Sequence, residues 1–203
     1  MREDQKEKQG VTTVARHEVR IAGFGGQGVV LSGIVLGTAA AVYGNKFCTQ
    51  VQSYGPEARG GACRSEVVIA DEEILFPMVT TPEVFVAMSQ EALDRYIRDL
   101  PDGGILIVDE DLVKNLPEER NIRIYKVPAA RTADEKLKNR MFTNIVMLGA
   151  VTKITGIVRE DEMREAVKNT VPKATIEKNL AALEEGFALG EKIMAGACEG
   201  API

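Results

Sequence analysis

IAGFGGQG, residues 21–28, places a short apolar strand directly before a glycine-rich loop. The spacing Gly23-x-Gly25-x-x-Gly28 is typical of a nucleotide-binding turn between a strand and a helix. In such a turn, backbone N–H groups and the positive end of the following helix can bind a phosphate group. A tight strand-to-helix turn without any ligand can have the same spacing, so the spacing alone leaves both interpretations open.

Length and composition indicate an ordinary globular protein. The chain has 203 residues, of which 45% are hydrophobic and 27% charged, enough for one well-buried core. The formal net charge is −5, and acidic and basic residues are interspersed. We therefore expect no nucleic-acid partner, since duplex binding usually requires clustered Lys and Arg.

Cysteine and histidine usage narrows the possible chemistry. Cys48, Cys63 and Cys198 form no C-x-x-C pair, so we expect no disulfide framework, zinc site or iron–sulfur cluster in this chain. Reduced thiols favour a cytoplasmic location. The only histidine, His17, precedes the first strand, and a histidine-based triad or multi-histidine metal site is therefore excluded.

The ends of the chain differ in character from its middle. Residues 1–10, MREDQKEKQG, are polar and do not resemble a signal peptide. We predict a polar flexible tail over residues 1–16, a single domain over residues 17–195 and a flexible C-terminus over residues 196–203. The charge-free segment between Arg20 and Lys46 contains seven glycines, and its apolar part is shorter than the ~20 residues that span a bilayer. We expect a buried helix there and no membrane association.

Apolar strands alternate with helical patterns along most of the chain. This alternation predicts an α/β fold, a Rossmann-like three-layer sandwich with a mostly parallel mixed sheet and a helical C-terminal part after Pro128. Ser89 is a predicted helix N-cap, and Thr132-x-x-Glu135 has the sequence of a capping box. Gly33 and Gly37 are expected to allow close backbone approach on one face of the first helix. The predicted strands cover residues 18–22, 47–52, 63–70, 73–76, 83–88, 104–108 and 122–127.

YGPEARGG, residues 54–61, forms a second candidate binding loop after the second strand. In an open α/β sheet such a loop can overhang the edge where ligands bind. Arg59 could bind a phosphate or a carboxylate, and Tyr54 could stack or donate a hydrogen bond. An internal pair between Glu57 and Arg59 that rigidifies the turn is an equally good interpretation.

The region after the glycine loop disfavours NAD. A dinucleotide site normally has an acidic residue about 20 positions on, which binds a ribose hydroxyl. Residues 46–53, KFCTQVQS, contain no Asp or Glu, and the chain has no Walker-type G-x-x-x-x-G-K-[ST] motif.

Other polar and sulfur-containing residues have simpler predicted roles. Asp109 is expected to cap a helix or turn, and Asn144 to bond the backbone or face solvent. We expect Cys63 to be buried and inert, and Met88, Met141 and Met147 to fill gaps in the core or in an interface.

Four motifs together resemble one known family. GFGGQG at residues 23–28, QSYGPEARGG at 52–61, SEVVIADEEI at 65–74 and NIVMLGA at 144–150 are similar to the gamma subunit of 2-oxoacid:ferredoxin oxidoreductases. The resemblance extends over roughly residues 18–190. Within the family, YGPEARGG is most similar to the 2-oxoglutarate branch.

The resemblance implies a subunit of a thiamine-dependent enzyme that converts 2-oxoglutarate, coenzyme A and oxidised ferredoxin to succinyl-coenzyme A, CO2 and reduced ferredoxin. Thiamine diphosphate and iron–sulfur clusters would be held by alpha, beta and possibly delta subunits. This chain, inactive alone and without a catalytic residue, would contribute to the coenzyme A site and to assembly. The implied coenzyme-binding residues are Gly23, Gly25, Gly26, Gln27, Gly28, Tyr54, Glu57, Arg59 and Gly60. A stand-alone NAD-binding oxidoreductase and a purely structural assembly subunit are the alternatives.

Overall fold

The computed structural model describes residues 15–54, 62–118 and 120–199. Most of the predicted N-terminal tail, the end of the predicted C-terminal tail and most of the loop at residues 54–61 therefore lie outside the described residues. Within them there are six strands: β1 (Arg16–Phe24), β2 (Phe47–Tyr54), β3 (Ala62–Ala70), β4 (Val84–Ala87), β5 (Ile105–Asp109) and β6 (Arg123–Val127). The helices are α1 (Val29–Thr38), α2 (Gln90–Tyr96), α3 (Ala129–Leu137), α4 (Thr143–Thr155), α5 (Glu160–Thr170) and α6 (Ile176–Glu199).

The six strands form one mixed sheet in the order β2-β3-β1-β4-β5-β6. β1, β4, β5 and β6 run parallel, whereas β3 is antiparallel to both β1 and β2. Helix α2 packs on one face of the sheet, and the other described helices cover the opposite face. The predicted three-layer α/β fold with a mixed sheet and a helical C-terminal part is confirmed.

Helix α1 packs closely on the sheet because two of its residues that face the strands are glycines, which have no side chain. A Cβ atom at Gly33 would lie 1.9 Å from Ser65 Oγ, and one at Gly37 would lie 3.3 Å from Cys48 Sγ. The predicted close approach at these two glycines is confirmed. Residues 39–43 extend α1 by a wider π-helical turn.

Helices α4 and α6 contact each other backbone to backbone. A Cβ atom at Gly186 would lie 2.1 Å from Val146 O, and one at Gly149 would lie 2.4 Å from Leu183 O. This pair completes the helical layer that covers α1.

The predicted short strand at residues 73–76 does not form. This segment has no sheet partner. Side chains of β1 hold this region instead: the Arg16 guanidinium donates to Phe76 O (3.2 Å), and further along Glu18 Oε2 accepts from Thr80 N (2.7 Å) and Thr81 N (2.9 Å).

The predicted capping box at Thr132-x-x-Glu135 is also wrong. Helix α3 begins one turn earlier, at Ala129, where the carboxylate of Asp109 accepts a hydrogen bond from Ala130 N (2.9 Å). An acceptor distant in sequence thus satisfies a free N–H of the first turn and sets the start of the helix. By contrast, Ser89 caps α2 as predicted, since its Oγ accepts from Ala92 N (3.2 Å).

Candidate functional site

The glycine loop lies at the carboxyl end of β1, between β1 and α1. Gly26 and Gly28 have positive φ angles of 95° and 74°, a conformation that glycine adopts without strain. The helical hydrogen bonds of α1 begin at Ser32, whose backbone N–H donates to Gly28 O (2.9 Å). The N–H groups of residues 29–31 consequently point out of the helix toward the loop, which suits an anion.

Gln27 holds the loop in place with both ends of its side chain. Its Oε1 accepts from Phe24 N (2.6 Å), and its Nε2 donates to Met88 O (2.9 Å) at the end of β4. A Cβ atom at Gly23 would lie 2.4 Å from the same Oε1, so only glycine leaves room for this arrangement. Gln27 therefore positions the loop against the sheet.

Gly28 is confined by a residue from the NIVMLGA motif. Asn144 is 3% exposed, its Nδ2 donates to Gly28 O (3.4 Å), and a Cβ atom at Gly28 would lie 2.5 Å from that nitrogen. The predicted backbone-bonded role of Asn144 is confirmed. The start of α4 thus supports the start of α1.

The second candidate loop starts and ends beside the first. Tyr54 pairs with Cys63 in the β2–β3 ladder, and Cys63 pairs with Gly23 in the β3–β1 ladder. Strand spacing puts the Tyr54 backbone about 10 Å from Gly23, at the same edge of the sheet. The side chain of Tyr54 and the residues Glu57, Arg59 and Gly60 lie outside the described residues, and their predicted roles stay predictions.

Three concavities meet at Gly26. The first, about 350 Å³, lies over the carboxyl ends of β1, β4 and β5, and the second, about 440 Å³, lies between α1 and the α5–α6 connection. The third, about 300 Å³, runs along the start of α1 to Cys63. Their volumes are those of small-molecule sites, and a long ligand could extend from one to the next across the glycine loop.

Several cavity residues were not predicted from the sequence. Met141 borders both larger concavities and is 82% exposed, so of its two predicted places only an interface remains, whereas Met88 and Met147 are buried in the core. Lys138 has a positive φ of 54° and separates α3 from the turn that carries Met141. The other unpredicted residues around the two cavities include Leu112, Ala130, Arg140, Thr143, Thr175, Lys178 and Asn179.

Two ionisable residues near this edge, Asp109 and Cys63, have structural roles. Burial raises the pKa of Asp109, whose carboxylate accepts hydrogen bonds from Asp111 N (2.9 Å), Leu112 N (3.2 Å) and Ala130 N. Its predicted capping role is confirmed. Cys63 is 5% exposed, so this thiol is buried as predicted. Burial also raises its pKa, which disfavours the reactive thiolate form.

The fold and the site define the class of protein as a Rossmann-like α/β domain with a glycine loop at the carboxyl edge of its parallel strands. Residues 18–189 match the family model described as pyruvate ferredoxin/flavodoxin oxidoreductase. The chain belongs to this family.

Individual relatives agree with that assignment. The chain is 50% identical over 180 residues to 2-oxoglutarate synthase subunit KorC of Methanocaldococcus jannaschii, with 88% of this chain and 96% of the relative covered. A keto/oxoacid ferredoxin oxidoreductase gamma subunit from Geobacter sulfurreducens has a TM-score of 0.81 and 39% identity, with 88% and 98% of the two chains covered.

A longer structure shares the same domain. The 2-oxoglutarate:ferredoxin oxidoreductase of Magnetococcus marinus, solved with 2-oxoglutarate, coenzyme A and succinyl-CoA bound, matches with a TM-score of 0.78 and 25% identity. The match covers 87% of this chain but only 31% of that chain.

Proposed function

We propose that this chain is the gamma subunit of a 2-oxoglutarate:ferredoxin oxidoreductase and that its glycine loop forms part of the coenzyme A site. The complex would convert 2-oxoglutarate, coenzyme A and oxidised ferredoxin to succinyl-coenzyme A, CO2 and reduced ferredoxin. The identity to a 2-oxoglutarate synthase subunit supports the substrate, and the coenzyme A bound in the M. marinus enzyme supports the ligand.

The observation that carries the coenzyme assignment is the position of residues 25–28. They lie at the meeting point of three concavities, next to the free N–H groups of residues 29–31, on the edge of the sheet where ligands of open α/β folds bind. Coenzyme A carries a pyrophosphate, which such a loop can receive, and a long pantetheine arm that needs an extended groove. The loop would bind and orient the coenzyme, and Gln27 would keep the loop in its binding geometry.

The sheet order argues against an NAD site. In a dinucleotide-binding fold the second strand lies beside the first, which brings its terminal acid to the ribose. Here β3 lies between β1 and β2, so the end of β2 is two strands away, and the segment contains no acid. This arrangement disfavours a stand-alone NAD-dependent oxidoreductase.

The remaining groups of the enzyme are assigned to other subunits. We propose that alpha and beta subunits hold thiamine diphosphate, that iron–sulfur clusters lie on a beta or delta subunit, and that the assembled enzyme reduces ferredoxin in the cytoplasm. No helix among the described residues is long and apolar enough to cross a membrane.

Purification of the native complex through a tag on this chain tests the proposal. The purified complex should reduce ferredoxin only when both 2-oxoglutarate and coenzyme A are supplied, and pyruvate or a branched 2-oxoacid should be a poorer substrate. Isolation without any partner subunit, or a complex that prefers another 2-oxoacid, would contradict it. A thermal shift of the isolated chain with NADH but not with coenzyme A would favour the dinucleotide alternative.

A further inference from the structure

Strand β2 is the outermost strand in the part of the chain that the structure describes. There it pairs with β3 on one side only, so about half of its amides and carbonyls point away from the sheet. Its sequence, FCTQVQSY, contains no charged residue and no proline. Soluble proteins usually protect an exposed edge with such residues, because an unprotected edge pairs with another chain.

An apolar cluster adjoins this edge on the sheet face opposite α1. Cys48 packs toward α1, so alternation directs Phe47 and Thr49 to the other face, and Phe47 is 50% exposed. Thr49 Oγ1 donates to Pro77 O (3.0 Å), which fastens the segment before β4 next to β2. This segment exposes Leu75 (90%), Phe76 (54%) and Met78 (45%). We call β2 together with these three residues the edge platform.

Two relatives differ in whether this domain is a separate chain. In the M. marinus enzyme the matched domain is 31% of a longer chain, whereas the match to M. jannaschii KorC spans 96% of that subunit. The domain is thus part of a longer chain in the M. marinus enzyme and a separate subunit in M. jannaschii. A non-covalent interface has to replace the covalent connection, and an uncharged apolar surface suits a permanent interface. Pairing of two copies is opposed by their net charges of −5.

We propose that the edge platform docks the subunit that corresponds to the rest of the longer M. marinus chain. That subunit adds an extended segment to β2 through backbone hydrogen bonds and covers Phe47, Leu75 and Phe76 with apolar side chains. This inference rests on the proposed function, because it requires a multi-subunit oxidoreductase.

Hydrogen–deuterium exchange of the isolated chain and of the native complex tests the interface. In the isolated chain, which should be monomeric, about half of the β2 amides should exchange rapidly, and in the complex they should become protected. A dimer with protected β2 amides would assign the edge to a second copy. Protection in an isolated monomer that disappears on deletion of residues 1–14 would assign it to the N-terminal segment. Either result would overturn the proposal.

The two proposals fail in different ways. Absence of any partner subunit overturns both the proposed function and the interface. An active complex in which the β2 amides still exchange rapidly overturns the interface alone.

Charge substitutions test the platform without touching the core. Leu75→Glu should weaken association with the partner subunit at least about tenfold while the circular dichroism spectrum stays unchanged. Val42→Glu is the matched control, since Val42 is 67% exposed and lies in the turn after α1, on the sheet face opposite the apolar cluster, and it should assemble normally. Equal assembly of the two variants, with or without a loss relative to the unmodified chain, would contradict the proposed interface.

Discussion

Replacing Gln27 should loosen the glycine loop and weaken coenzyme A binding without changing the chemistry at the partner subunits. Gln27→Met keeps the length of the side chain but removes the acceptor for Phe24 N and the donor to Met88 O. Each hydrogen bond contributes about 0.5–1.5 kcal/mol, so the free energy of unfolding should fall by about 1–3 kcal/mol. For a chain of this size the melting temperature should then fall by roughly 2–12 °C.

Gln27→Glu tests the two hydrogen bonds of the side chain separately, because it can keep only the one from Phe24 N. The carboxylate can still accept from Phe24 N, but it can only repel Met88 O, so this variant should be no more stable than Gln27→Met near neutral pH. Urea unfolding of the isolated chain measures the stability of both variants.

The functional consequence is a split between KM and kcat in the assembled enzyme. Because Gln27 acts through the loop backbone, the KM for coenzyme A should rise several-fold, with kcat at saturating coenzyme A close to that of the unmodified complex. If both variants unfolded at the same urea concentration as the unmodified chain and kept its KM for coenzyme A, Gln27 would not hold the loop in its binding geometry.

Two further predictions concern the scaffold. Gly186→Ala should destabilise the chain by about 1–3 kcal/mol in urea unfolding, because the new Cβ atom would meet Val146 O. The control is Gly196→Ala in the same helix, where the new Cβ atom has open space, so this variant should be neutral or stabilising by up to about 1 kcal/mol. Equal effects of the two variants would contradict the described α4–α6 contact. The pKa of His17 is raised by its hydrogen bond with Glu83 (Nδ1 to Oε1, 2.5 Å), so this contribution to stability is present below the unfolded pKa and lost as pH rises through the folded pKa. Glu83→Gln should therefore lower the melting temperature more at about pH 6 than at about pH 9, and an equal loss at both would refute the pairing.

Local patterns in the sequence were enough to predict most of the sheet. Apolar runs bounded by Gly, Pro or Asp identified β1 and β3 to β6, and Gly33 and Gly37 revealed the helix face that packs closely. The start of α3 could not be predicted in the same way, because Asp109, its cap, lies 21 positions earlier and is brought there by the sheet. The tertiary hydrogen bond from Ala130 N to Asp109 therefore overrides the local capping pattern at Thr132.

The candidate site was predicted in part. The glycine loop and the neighbouring end of β2 do meet at one edge, as the strand–loop–helix pattern indicates. The hydrogen bond by which Gln27 holds the loop against the sheet could not be predicted from the sequence, since its acceptor, Met88 O, is 61 positions away. The choice between core and interface for Met141 could not be made from the sequence, because a positive φ at Lys138 separates α3 from the turn that carries Met141.

Titration of the assembled complex with coenzyme A tests the central claim most directly when Gly25 carries a side chain. A Cβ atom at Gly25 has no other atom within 4 Å and its φ angle is not positive, so Gly25→Val fits the fold while it obstructs the loop. Gly196→Val is the control, because its added Cβ is equally free of contacts but lies far along α6. We predict that Gly25→Val raises the Kd for coenzyme A at least about tenfold in an intact complex and that Gly196→Val leaves it unchanged. An unchanged Kd in the Gly25→Val complex would contradict the assignment of the glycine loop to the coenzyme A site.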